Sequence, residues 1–273
     1  MAHSERPGHP EGGIRPEDIP IPDVSKLITE DDTPVDNLLS EKQMRLLTEP
    51  LFSNWSPPDG RVLFLAANVG VFPAPENNPL VPDVFLSLDT APKTPMSEKK
   101  NRSYFVWEHG KPPDVVIEVV SNREGGELSR KLRGYERMRI SHYIVYDPWR
   151  ELGDAQLTRF EMHAGALVMA EGPFVRPDFD LSLVHWTGRY EGEDADWLRW
   201  ARADGTLIPT GAEATVEEKQ RAEQEKQRAE QEKQRAEQEK QRAEQEKQRA
   251  EASRRRADEL EAKLRALGID PDA

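Results

Sequence analysis

Val115-Val116-Ile117-Glu118-Val119-Val120, residues 115–120, is a β-branched apolar run with a single carboxylate inside it. Apolar side chains on both alternating faces mark a strand covered on both sides, as in the interior of a parallel or mixed sheet. An ionised Glu118 in such a strand is costly to desolvate unless a cation or hydrogen-bond donors meet it. Partners are available on either side. Asp83 falls in a second buried-looking strand, Pro82-Asp83-Val84-Phe85-Leu86-Ser87-Leu88, and Lys131 falls on the helix expected after Gly125-Gly126. Two carboxylates on neighbouring strands with a lysine close by are what metal-assisted phosphodiester hydrolysis requires. Asp114 shares the face of Glu118, but four residues separate them, about 13 Å along a strand. That is too far to share one ion.

Outward from this run, the chain alternates helical and extended patterns. Leu38 to about Trp55 reads as a helix with Ser40 as N-cap, and Pro50 is expected to kink or split it. Arg61–Val71 reads as a strand and turn, and residues 89–102 as a polar loop carrying Lys93, Lys99, Lys100 and Arg102. Glu127–Arg139 reads as a helix whose stripe of Leu128, Leu132, Tyr135 and Met138 faces the sheet, with Lys131 on or beside it and Tyr135 in the core. Arg130, Arg133 and Arg137 lie on another face. His142–Tyr146 is a further strand, and 156–161 with 166–170 a hairpin. Leu181–Trp186 adds a strand, and Asp194–Ala203 a short helix. These elements predict an α/β (α+β) domain over residues 36–212, preceded by a Pro- and Gly-rich segment, 1–35, expected to be disordered or wrapped on the surface.

Residues 213–273 form a third region, a strict heptad of Glu-Lys-Gln-Arg-Ala-Glu-Gln. With Ala222, Ala229 and their successors at the a positions, the d positions are glutamates until Ser253, Leu260 and Leu267. The e and g positions, Lys226 and Arg228, are both basic, so a homodimer would oppose like charges. Pairs such as Glu223–Lys226 and Glu225–Arg228 each stabilise a lone helix by about 0.2–0.5 kcal/mol. A charged spacer helix about 75 Å long is therefore expected, with self-association or partner-helix binding confined to Leu260–Leu267.

Several classes are excluded. The chain has 273 residues and no cysteine, so thiolate metal sites and disulfides are impossible, and a reducing, cytoplasmic setting is expected. The N-terminus lacks the apolar core of a signal peptide, and no run is long enough to span a bilayer. The six histidines show no metal-ligand spacing, and Walker, dinucleotide-binding and nucleophile-elbow motifs are absent. Residues 213–273 hold 15 basic and 17 acidic residues, leaving 23 and 34 before them, a balance of −11. A domain this acidic needs a local basic patch to hold nucleic acid. Lys99, Lys100, Arg102, Arg130 and Arg133 are the candidates.

If Asp83 and Glu118 share a face, their oxygens suit Mg²⁺ or Mn²⁺, with Lys131 stabilising charge at the phosphate. The competing reading makes Asp83 and Asp114 ordinary residues at strand edges and pairs Glu118 with Lys131 or Arg123 in a structural ion pair.

The segment 113–121, then Lys131-Leu132 and Tyr135, then His142-Tyr143-Ile144-Val145-Tyr146-Asp147-Pro148, resembles the Uma-two family of restriction-endonuclease-like proteins. Pro82-Asp83 and the closing residues 264–271 add to the likeness, which covers about 38–190. The resemblance implies the PD-(D/E)XK nuclease fold, a central mixed sheet flanked by helices. Asp83 matches the family's aspartate and Glu118 its glutamate. Val120 stands where a lysine is usual, and Lys131 matches a lysine supplied by the following helix. Glu41 and Gln43 stand as candidates for the early-helix polar residue. The function implied is a Mg²⁺-dependent DNA endonuclease. The alternative is a catalytically silent nuclease-like scaffold acting through the C-terminal helix.

Overall fold

A computed structural model describes residues 37–121 and 125–266. The segment 1–35, Arg123 and the residues from Leu267 onward lie outside the described residues, as does the side chain of Leu264. The chain divides into two compact units, Met1–Gly211 and Ala212–Ala273.

The first unit opens with α1 (Leu38–Asn54). Its N-cap is Asn37, not Ser40: the Asn37 side chain accepts from the Ser40 N–H at 2.9 Å. Asparagine reaches that orphan donor from outside the helix, so Ser40 is taken into the first turn. The helix runs through Pro50 without a break, its buried apolar face outweighing one lost N–H bond.

The strands follow as β1 (Leu63–Ala67), β2 (Val71–Phe72), β3 (Val84–Leu88), β4 (Tyr104–Phe105), the one-turn helix α2 (Val106–His109), and β5 (Val115–Val119). A π-turn over Glu127–Lys131 leads into α3 (Leu132–Met138). After it come β6 (His142–Tyr146), β7 (Leu157–His163) and β8 (Ala166–Met169), then β9 (Phe174–Arg176), β10 (Leu181–Tyr190) and β11 (Glu193–Ala201).

The main sheet has the order β1-β3-β5-β6-β7-β8. β5 and β6 are parallel, with α3 in the crossover between them, while the other neighbours are antiparallel. β5 lies inside the sheet with all five residues buried, as its two-sided apolar run requires. Val115, Ile117 and Val119 face one core layer, shared with Met44, Leu47 and Leu51 of α1 and with Leu183, Leu198 and Trp200 of the second sheet. Val116 and Val120 face the other, shared with Tyr135 and Met138 of α3 and with Tyr143 and Phe160. Glu118 alternates with these and so points towards α3.

Two further expectations are corrected. Asp194–Ala203 is not a helix: β11 pairs with β10 along nine residues, in a three-stranded sheet with β9. Glu191 and Gly192 turn the hairpin with φ of 45° and 85°, the positive pair that a tight two-residue turn requires. The run Trp197–Ala201 is buried throughout, and such runs carry no period that separates strand from helix. Leu128 is not in the sheet-facing stripe but 40 % exposed, and Glu127 takes the inward position. The cause is the π-turn, closed by Lys131 N–H to the Gly126 carbonyl at 3.0 Å. Five residues per hydrogen-bonded loop instead of four rotate everything before Leu132 relative to an α-helical register.

The described residues of the second unit, with the preceding Gly211, form a single helix, α4 (Gly211–Ala266). At 56 residues it is about 84 Å long. Side chains four apart tie it laterally, Arg221 to Glu217 at 3.5 Å and Gln227 to Glu223 at 3.2 Å. Leu260 is 58 % exposed. Among the described residues no helix is long and apolar enough to cross a membrane.

Candidate active site

Asp83 ends the loop before β3 and its backbone carbonyl accepts from Asn68 N–H at 3.2 Å. The β3–β5 register pairs Val84 with Ile117 and Phe85 with Val116. One step further along the same antiparallel ladder, Asp83 stands opposite Glu118. Directly opposed residues share a face, with Cβ atoms about 4.5–5.5 Å apart. Asp83 Oδ2 accepts the Val119 N–H at 2.6 Å, which fixes the carboxylate at the end of the ladder.

Glu118 has no exposed surface. Its Oε1 accepts from the Tyr135 hydroxyl at 2.5 Å and its Oε2 from Lys131 Nζ at 3.0 Å. Lys131 Nζ also lies 3.1 Å from Glu127 Oε1. Glu127 is 4 % exposed, and its Oε2 is buried without a hydrogen-bond partner. Tyr143 on β6 donates its hydroxyl to the Glu127 carbonyl at 3.0 Å, pinning the π-turn to the sheet.

The cluster gathers three carboxyl groups, Asp83, Glu118 and Glu127, around one ammonium. Burial, and then the charge of Asp83, lift the Glu118 carboxyl from 4.5 to about 8, against the opposing pull of Lys131 and Tyr135. Asp83 is raised for the same reason, burial, with the Val119 N–H and the Lys131 charge working the other way. Burial disfavours the Lys131 ammonium, but the charges of Glu118, Glu127 and Asp83 outweigh it and hold its pKa above the ordinary lysine value. Lys131 is therefore a fixed cation at neutral pH. The Tyr135 hydroxyl is pushed well above its usual range by burial and by Glu118, so it remains a donor.

A structural ion pair would be balanced. This one is not: a single ammonium serves three carboxyl groups and can offset the charge of only one of them. The donor set is all oxygen, which suits Mg²⁺ or Mn²⁺. Among the described residues no group of three or more His, Cys, Asp or Glu side chains is placed to hold a metal. An ion here would rest on the pair Asp83 and Glu118, the one or two carboxylates that Mg²⁺ ordinarily takes from protein.

The other sequence candidates are elsewhere. Asp114 belongs to the opposite end of β5, where Oδ2 accepts from Leu88 N–H at 2.8 Å and pairs with Lys111 at 2.6 Å. Gln43 joins α1 to β11, its amide donating to the Leu198 carbonyl at 2.8 Å and accepting the Leu198 N–H at 3.0 Å. Glu41 pairs with Arg45 at 3.0 Å. Arg130 and Arg133 are exposed, on the same π-turn and helix as Lys131. Lys99, Lys100 and Arg102 are exposed at a separate turn, where Lys100 pairs with Glu98 at 3.0 Å. There Arg102 donates to the Met96 and Ser97 carbonyls at 3.0 and 3.1 Å.

Sequence reasoning missed Glu127 and the hydroxyl of Tyr135. Both lie four residues from Lys131, one on each side, and that spacing was the available signal. Tyr135 packs in the core as expected, but its ring carries a donor aimed at the acid.

Residues 33–161 match the model of the Uma2 family, described as "Putative restriction endonuclease". A search of the curated proteins found no match. The matched stretch runs from before α1 into β7 and contains Asp83, Glu118, Glu127, Lys131 and Tyr135. That segment is similar to the Uma2 family, and the mixed sheet with its flanking helices is consistent with a restriction-endonuclease-like fold.

Proposed function

We propose that this Uma2-like domain is a Mg²⁺- or Mn²⁺-dependent endonuclease that hydrolyses DNA phosphodiester bonds. The observation that carries the reading is the placement of Asp83 opposite Glu118 at the end of the β3–β5 ladder, with the Lys131 ammonium 3.0 Å from the second acid. Asp83 and Glu118 would hold the ion. A bound divalent ion lowers the pKa of a coordinated water and neutralises charge developing on phosphate.

The chain's own groups divide the remaining work. Val119 N–H fixes Asp83, and Tyr135 fixes Glu118, so neither carboxylate needs to reorganise. Lys131 keeps its proton and so acts by charge, stabilising negative charge at the phosphate rather than abstracting a proton. Arg130 and Arg133 flank it on the exposed side, and Lys99, Lys100 and Arg102 offer a second basic segment for backbone phosphates.

Glu118→Ala should abolish divalent-dependent cleavage of plasmid and single-stranded DNA while leaving the circular dichroism spectrum unchanged. Wild-type protein that cuts neither substrate with Mg²⁺ or Mn²⁺ would overturn the proposal. The balance of −11 in residues 1–212 favours a second reading, a silent nuclease-like scaffold recruiting partners through α4. Removing residues 213–273 separates the two, because an enzyme keeps its cutting and a scaffold loses its activity.

A further inference from the structure

We infer that Glu127 is a positioning residue that shares the Lys131 ammonium with Glu118 and retains it when a divalent ion claims Glu118. The inference rests on the reading of Asp83 and Glu118 as the ion-binding pair.

Lys131 Nζ stands almost equidistant between two carboxylates, 3.0 Å from Glu118 Oε2 and 3.1 Å from Glu127 Oε1. An ion drawn to Glu118 must compete with that ammonium for the same oxygen. If Glu118 were its only partner, the ammonium would either block the ion or be driven from the cluster. Glu127 offers a second seat. Its Oε2 is buried without a hydrogen-bond partner, so a lysine released by Glu118 finds a free acceptor on a residue it already touches. A buried carboxylate oxygen left unpaired costs about 1–3 kcal/mol, and a fold that keeps one has a use for it.

The local backbone is built for this placement. A Cβ on Gly125 would lie 2.0 Å from Glu127 Oε1 and 2.8 Å from Oε2, so the absence of a side chain there makes room for the acid. Gly126 enters the turn with φ +75°, a conformation glycine adopts without strain. The π-turn then turns Glu127 inward and Leu128 outward, and Tyr143 locks the Glu127 carbonyl. Glu127 is not itself part of a three-acid metal cluster among the described residues. Its action is therefore through Lys131.

Calorimetric titration of the full chain with Mn²⁺ tests this, comparing wild type, Glu127→Gln, Lys131→Met and the double variant. Neutralising Glu127 leaves the ammonium held by Glu118 alone, and Mn²⁺ affinity should fall about tenfold, the lower end of what a group behind the metal ligands contributes. In the Lys131→Met background the same substitution should change affinity less than twofold. An equal loss in both backgrounds would make Glu127 a ligand or a general field charge, and no loss in the wild-type background would make it a bystander. Either result overturns the inference and leaves the ion site standing. Wild-type protein that takes up no Mn²⁺ removes the ion site itself and this inference with it. Should Glu127→Gln not fold, Glu127→Asp, which draws the charge back by one methylene, replaces it with the same expectation.

Discussion

Replacing Glu118 by glutamine should make the ion-free protein progressively more stable than the wild type as pH rises from about 5 to about 8. Glutamine keeps the shape of the side chain and removes its charge. Burial and the neighbouring Asp83 raise the Glu118 carboxyl from 4.5 to about 8. Its folded-state pKa thus exceeds its unfolded value, and between the two the folded protein holds a proton that the unfolded chain has lost. Stability must then fall with rising pH across that window. At about 1.4 kcal/mol per unit the whole loss is on the order of 5 kcal/mol, in full above the folded pKa and absent below the unfolded one. Glu118→Gln does not titrate, so the difference between the two proteins isolates the slope of Glu118 and its coupled neighbour Asp83 from that of groups elsewhere. Urea unfolding with a chelator present, followed by tryptophan fluorescence, measures it. Adding Mn²⁺ to the wild type should flatten the slope, since a cation between the acids favours the ionised form. A difference that stays constant across the window would mean that Glu118 is charged throughout, as in a balanced ion pair. The electrostatic account of the site would then be wrong.

Asp83→Ala should abolish divalent-dependent cleavage and lower stability by about 1–3 kcal/mol, because the Val119 N–H loses its acceptor; activity assays and urea melts read the two effects separately. Gly125→Ala should displace the Glu127 carboxylate and weaken Mn²⁺ binding about as much as Glu127→Gln, about tenfold, with calorimetry as the measure. Gln43→Ala should cost about 2–3 kcal/mol by breaking both hydrogen bonds to Leu198, yet leave cleavage per folded molecule unchanged, since Gln43 lies in the core layer opposite Glu118.

Much of the scaffold was legible residue by residue. The two-sided apolar run 115–120 could only be an interior strand. The hairpin expected from 156–161 with 166–170 is β7–β8, turned by Ala164 and Gly165 with φ of 47° and 94°. Where the sequence misled, the cause was a missing period. Trp197–Ala201 is buried on both faces and so reads equally as helix or strand, and only pairing with β10 decides it.

The candidate site divides the same way. Chemistry alone marks Glu118, because a carboxylate among valines must be paired or used, and it marks Asp83 and Lys131 as the partners within reach of such a strand. What the sequence could not supply is registry. Whether Asp83 falls opposite Glu118 or one residue aside depends on how two strands distant in sequence align, and a slip of one would send the acid to the other face. Whether Glu127 or Leu128 faces inward depends on one additional residue in a helical turn, a change local propensity does not encode. Residue type sets which charges are too costly to bury alone; only the tertiary ladder and that π-turn determine which of them meet.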